Sequence, residues 1–403
     1  MFNINESGII MIIVLRNGKD LSAKGRFITQ LFKFSLNAKV LCLYRKQDEM
    51  FREEWGSSKI ELATSISAII MNFILNVFKT PTNIHDDLIR RLMSRPPFIA
   101  EKRSSLFWIL QVLGQYAAKS ARTSRILQFL QKNKSPKIFL IDEFFSIRLF
   151  NLKKLKKLGH IIYVSSDLAY DYYGDNRITS NLMYQFERDA LAMVDLVIAC
   201  SERDQLKYFE MGADNVIYYP NIYPIEEFNM YSKEQTPSIS IIFRSYWGYR
   251  SHRALEEVFN ALSYIKQPIR VYLIGAKPKK IPKNIDLKHY TFVQDKTDFL
   301  KILSKTWIGI NIGIHKGGSN QRKYDYAMAG LVVLSDSLGS RGDLLPNEYT
   351  YVDNYDLAAK INQLISLGKT TIIDMGLENR KQALRLAGVQ KEKLLKIISN
   401  MAY

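Results

Sequence analysis

Cysteine is scarce in this chain. Cys42 and Cys200 are its two thiols, too few and too far apart for a disulfide framework, and this points to a reducing compartment. The five histidines, at 85, 160, 252, 289 and 315, show no ligand spacing, and C-x-x-C and H-E-x-x-H are absent, so no structural zinc is expected. No Gly-x-Gly and no Walker glycine–lysine loop occurs, which counts against an NAD enzyme and a P-loop. Asp-x-Asp is missing too, so any phosphate group bound here is expected to be neutralised by arginine and backbone rather than by metal. The N-terminus lacks the basic, apolar and small-residue pattern of a signal peptide, and its apolar run Ile9–Leu15 has the length of a strand. Acidic residues are in deficit, 39 against 57 Lys and Arg, for a net charge of +18 that is shared by both halves. Such a surface attracts nucleic acid, anionic lipid or nucleotide phosphate alike and does not choose among them.

What is present is length and aromatic bulk. The 403 residues, with 23 Tyr and 21 Phe, suffice for two domains with separate cores. The chain opens with strand Ile9–Leu15, a loop carrying Gly25, a helix over Phe27–Leu36 and strand Lys39–Tyr44, a βαβ start that predicts a parallel sheet. Residues 50–135 read as a helical insertion. Within it Leu62–Phe78 holds 17 residues without a charge, yet two Asn, two Ser and a Thr leave it short of a membrane span. It reads either as a buried helix or, with Arg90, Arg91, Arg95 and the Lys153–Lys157 run, as a membrane-surface face.

The βα pattern resumes at Lys137–Ile141, which ends in Asp142 and Glu143, and at His160–Val164, which runs on to Asp167. Ligands of open α/β sheets gather at the carboxyl ends of strands, so Asp142, Glu143 and Asp167 are candidates for the acceptor side of a site, with Gly25 from the first loop. A helix over Asn181–Met193, strand Asp195–Ala199, a Ser201-capped helix and strand Asn215–Tyr219 complete a domain over 1–222. The stretch 223–237 reads as a linker. A second βα domain over 238–380 contains strands Ser238–Phe243, Ile269–Ile274 and Tyr290–Val293, and residues 381–403 form a closing helix, free to pack back on the first domain.

The second domain is organised around residues 306–335, where two short apolar strands flank a Gly317-Gly318 turn and a helix starting at Gln321, closed by Gly330. Ser319 and Asn320 are both good helix caps. The turn offers unpaired N–H groups to a phosphate, and Asp325, one turn into the helix, offers a carboxylate to a ribose diol. Equally, glycine turns are common and a lone helical Asp is usually a solvated charge. Strand Ser238–Phe243 runs into Arg244 and Arg250, guanidiniums placed to clamp a diphosphate or to sit on the surface as ordinary charges.

Two segments carry a resemblance. ERDALAMVDLVIACSERDQLKYFEMGADNVIYYPN and DYAMAGLVVLSD are similar to the corresponding blocks of GT-B-fold glycosyltransferases of the family-4, group-1 kind. The resemblance implies two Rossmann-like βαβ domains facing across a cleft, the second binding a nucleotide-diphosphate sugar, with no metal and no further cofactor. It implies that Asp325 holds the donor ribose, that Arg244 and Arg250 bind the diphosphate, and that the amides of Gly317, Gly318, Ser319 and Asn320 meet the same group. Gly317 stands where that family has the first of two glutamates, Val332 where it has proline, and Asp142 where it often has histidine. Asp142 is then the candidate base on an acceptor hydroxyl, beside roles in orienting the acceptor or capping the next helix. The expected activity is hexosyl transfer to a lipid-linked or surface-polysaccharide glycan, at the cytoplasmic face and with peripheral contact to anionic membrane. A sugar-nucleotide 2-epimerase on the same fold is the enzyme alternative. A basic nucleic-acid-binding protein ranks below both, because the basic residues are dispersed and no nucleic-acid partner is expected.

Overall fold

The computed structural model describes residues 11–15, 39–44, 60–61, 137–142, 150–165, 177–220, 232–243, 248–291, 296–313, 321–337 and 345–401, with the single positions 28, 123, 127, 130, 147 and 293. The chain divides into two compact units, residues 1–219 with 392–403, and residues 220–391.

In the first unit the strands are β1 (Met11–Leu15), β2 (Lys39–Tyr44), β3 (Ile60–Glu61), β4 (Lys137–Asp142), β5 (His160–Val164), β6 (Leu196–Ala199) and β7 (Val216–Tyr218). They form one parallel sheet in the order β3-β2-β1-β4-β5-β6-β7. The strand order reverses between β1 and β4, the doubly wound arrangement in which a crevice opens at the reversal. Near-continuous apolar sequence is what a parallel sheet covered on both faces requires. Ile13, Leu15, Phe139, Ile141 and Tyr163 pack on one face, and Ile12, Val14, Ile138, Leu140, Ile162 and Val164 on the other. Helices α1 (Leu152–Lys156), α2 (Arg177–Leu191) and α3 (Glu202–Glu210) belong to this unit. The expected Ser201 cap on α3 is present, its hydroxyl accepting from Asp204 N at 3.0 Å.

The second unit repeats the plan. Its elements are β8 (Ser238–Phe243), α4 (Gly248–Leu262), β9 (Ile269–Gly275), β10 (Ile285–Tyr290), α5 (Lys296–Ser304), β11 (Ile308–Asn311), α6 (Gln321–Met328), β12 (Val332–Asp336), β13 (Glu348–Tyr351), α7 (Asn354–Ser366) and the part of α8 (Lys369–Met401) up to Lys391. The sheet is parallel with order β10-β9-β8-β11-β12-β13, and reverses between β8 and β11. The two-fold α/β expectation therefore holds, while several elements differ in place. The third strand is Ile285–Tyr290, not 290–293, because this edge strand alternates polar residues such as Asp286 and Lys288 with its apolar ones. Edge strand β13 and helix α5 were not anticipated. A two-residue strand, β3, falls inside the stretch read as helical, and Leu62–Phe78 with its basic neighbours lies outside the described residues. Among the described residues no helix is long and apolar enough to cross a membrane.

The last helix spans 33 residues and begins at Lys369 rather than at 381. Gly376 lets it pass the preceding chain closely, since a Cβ there would lie 2.2 Å from Gly330 O. At its far end Leu394 is fully buried in the core of the first unit with Ile12, Val14 and Leu140.

Candidate functional site

Helix α6 is short, eight residues, and its first turn carries two cations and no acid, which the helix dipole disfavours. Its position is set by side chains instead. Arg322 donates from Nη1 to Ile242 O (3.0 Å) and from Nη2 to Ile312 O (2.7 Å). One turn on, the Tyr326 hydroxyl accepts from Ile242 N (2.8 Å) and donates to Ile310 O (3.1 Å). Burial raises the pKa of that phenol, keeping it protonated as a donor. Between them Lys323, wholly buried, approaches Glu348 Oε2 at 2.7 Å as an ion pair rather than along a hydrogen-bond direction. The other Glu348 oxygen accepts from Ser335 Oγ (2.7 Å), which itself accepts from Asn311 Nδ2 (3.1 Å). The helix is thus fastened directly to β8, β11 and β13 by these polar contacts, and Ser335 of β12 joins only through Glu348.

Gly309 explains how close the helix comes. A Cβ on Gly309 would sit 2.4 Å from the Tyr326 ring, so β11 must be bare at that point. Gly309→Ala is expected to displace Tyr326 and cost about 1–3 kcal/mol, read as a lowered thermal midpoint; an unchanged midpoint would mean that the ring shifts freely. The other end of α6 is held by cations, as its dipole favours. Lys233 Nζ reaches the carbonyls of Thr306 (2.8 Å), Gly330 (2.9 Å) and Ala329 (3.3 Å), and Arg380 donates to Met328 O (3.1 Å). Burial, and secondly Arg380, push the Lys233 pKa down to about 7, while the three carbonyls match the donors of an ammonium and offset that cost. Residue 330 has φ 69°, as expected for a glycine ending this helix. The stretch read as a linker therefore ends in anchored residues, Lys233 and also Glu234, which accepts from Arg270 and Tyr272.

Asp325 stands on the remaining side of α6, half-buried, one turn in from the carboxyl end of the sheet. Nearby, Gly313 N donates to both oxygens of Asp336 (2.9 and 3.0 Å), which fixes the chain where it leaves β11. Arg250 lies in α4, its side chain outside the described residues, as are Arg244, Gly317, Gly318, Ser319 and Asn320. In the first unit Asp142 ends β4 and is fully buried, beside the reversal between β1 and β4. Gly25, Glu143 and Asp167 are outside the described residues.

A second buried network closes the carboxyl end of β5. The Tyr163 and Tyr208 hydroxyls donate to one Glu187 oxygen (2.8 and 2.9 Å), and Ser165 Oγ lies 2.6 Å from the Tyr208 hydroxyl. Burial and the Glu187 carboxylate raise both phenols well above their ordinary range. The acidic residue of the ERDALAMVD segment thus ties α2 to β5 and α3. Among the described residues no group of three or more His, Cys, Asp or Glu is placed to hold a metal ion.

No protein-family model matches the sequence, and no curated protein matches it by sequence. Solved structures do match. The UDP-forming α,α-trehalose-phosphate synthase of Burkholderia xenovorans is similar with a TM-score of 0.65 at 10% identity, over 98% of this chain and 100% of that one. Sucrose-phosphate synthase from Thermosynechococcus elongatus gives 0.63 at 12% identity, over 97% and 98% of the two chains. HepE from Anabaena, solved with UDP and glucose, gives 0.62 at 10% identity, over 97% and 100%. At such identities the likeness defines the fold, and the fold is GT-B.

Proposed function

We propose that the protein is a glycosyltransferase of the hexosyltransferase type, moving a sugar from a nucleotide-diphosphate sugar to an acceptor without a metal ion. The carrying observation is the placement of Asp325: a helix fastened to three strands by Arg322, Lys323 and Tyr326 carries this residue, half-buried, at the carboxyl end of the sheet. That is where open α/β sheets bind ligands, and a carboxylate there suits a ribose diol. HepE of the same fold has been solved with UDP and with UDP-glucose, which supports a uridine nucleotide as the first donor to try. In this reading Arg244, Arg250 and the amides of 317–320 take the diphosphate, and Asp142 faces the acceptor. The family-4 blocks and the net charge of +18 favour a lipid-linked or surface-polysaccharide glycan as acceptor, met at the inner face of an anionic membrane.

Calorimetric titration with UDP tests this. Asp325→Ala removes charged hydrogen bonds worth about 1.5–3 kcal/mol each, so affinity is expected to fall at least about tenfold with the fold intact. Equal affinity would place the ribose elsewhere. A wild-type protein that binds neither UDP nor any other nucleoside diphosphate would overturn the reading.

A further inference from the structure

The ladder between β8 and β11 is short. Their registered pairs end at Ile241 and Ile310, although β8 continues to Phe243 beside β9. This is the reversal point of the second sheet, where the two strands part and their polar groups lose each other as partners. Two side chains from α6 occupy the split. The Tyr326 hydroxyl bridges Ile242 N and Ile310 O, and the Arg322 guanidinium bridges Ile242 O and Ile312 O. Both strand ends are therefore bonded to the helix that carries Asp325, and a planar fork with donors in fixed directions suits two carbonyls at once.

We infer that Arg322 is a positioning residue for donor binding: it fixes the parted ends of β8 and β11 against α6, and so sets where Asp325 stands. This rests on the glycosyl-transfer reading. Arg322 acts through backbone carbonyls, so its effect reaches the donor through the chain. Its neighbour Lys323 does not substitute for it, being committed to Glu348.

The test uses Arg322→Ala and Arg322→Lys in the full chain, with UDP as probe, below the melting temperature of each variant. Arg322→Ala loses two charge-assisted hydrogen bonds, and its Kd for UDP is expected to rise about tenfold or more. Arg322→Lys keeps the charge but not the fork, and is expected to fall between alanine and wild type. In the same protein without UDP, amide exchange at Ile242 and Gly313 is expected to quicken in Arg322→Ala. Wild-type affinity in Arg322→Ala overturns the inference, whatever happens to its melting temperature. Weakened affinity with unchanged exchange overturns it too, because Arg322 would then touch the nucleotide directly. A wild type that fails to bind any nucleoside diphosphate defeats the glycosyltransferase reading itself, and this role with it.

Discussion

Replacing Lys323 by alanine is expected to lower the melting temperature of the second unit by roughly 6–20 °C. The side chains of Lys323 and Glu348 are 0% and 2% exposed, with Nζ and Oε2 2.7 Å apart. Removing one partner of a buried pair costs about 3–5 kcal/mol, because the remaining charge has neither water nor counter-ion. For a domain of this size each kcal/mol shifts the midpoint by about 2–4 °C. Glu348 would keep Ser335 as a donor, which cannot replace an ammonium. The paired change Lys323→Met with Glu348→Gln removes both charges and leaves an acceptor for Ser335, and is expected to melt near wild type. Scanning fluorimetry on the three proteins checks this. A Lys323→Ala midpoint within about 2 °C of wild type would show that solvent reaches Glu348 readily.

Asp142→Asn is expected to cut turnover by about 10²–10⁴-fold if the carboxylate is the base on the acceptor hydroxyl. Asparagine keeps the shape and much of the hydrogen bonding but cannot take a proton. The residue closes β4, registered with Val164 of β5, at the reversal of the first sheet, and it is fully buried. Burial makes stability the readout that separates the roles. A base predicts lost turnover, measured as UDP release, with an unchanged melting temperature and UDP affinity. A residue that caps the following chain predicts a lowered melting temperature with turnover kept in the folded fraction. The anomeric configuration of the product, read by NMR, adds an independent answer. A base opposite the leaving group supports direct displacement with inversion, and a retained configuration would speak against that role.

Much of the architecture was legible in the sequence because parallel strands covered on both faces are uninterrupted apolar runs. Ser238–Phe243 is close to such a run, with Ser238 and Ser240 its two polar residues, and the structure places β8 on the same six residues. Strands at the rim escaped for the opposite reason. Ile285–Tyr290 alternates and Glu348–Tyr351 is half polar, as edges are, so neither rises above a loop in a linear reading. The helix at Gln321 and the glycine that ends it followed from local capping chemistry. What fastens that helix did not. Arg322 and Tyr326 are spaced i and i+4, which marks a common face but not which carbonyls that face meets. Glu348 is 25 residues from Lys323 in the sequence, and only the sheet order brings them together. Gly309 was a visible signal of a different kind, a glycine inside a strand, the usual mark of a close approach.

The closing helix sets the order of synthesis against the order of assembly. Residues 392–403 belong with the first unit, and Leu394, with Leu395 and Ile397 around it, completes the core formed by Ile12, Ile138 and Ile162. A nascent chain therefore makes all seven strands of the first sheet, and then the whole second unit, before the last piece of that core leaves the ribosome. Until then one face of the sheet holds apolar surface with its final cover still unmade, which is the condition under which a chain leans on chaperones. The two halves are consequently unequal as isolated pieces. The second unit is contiguous in sequence, whereas the first is closed by a segment from the opposite end of the chain.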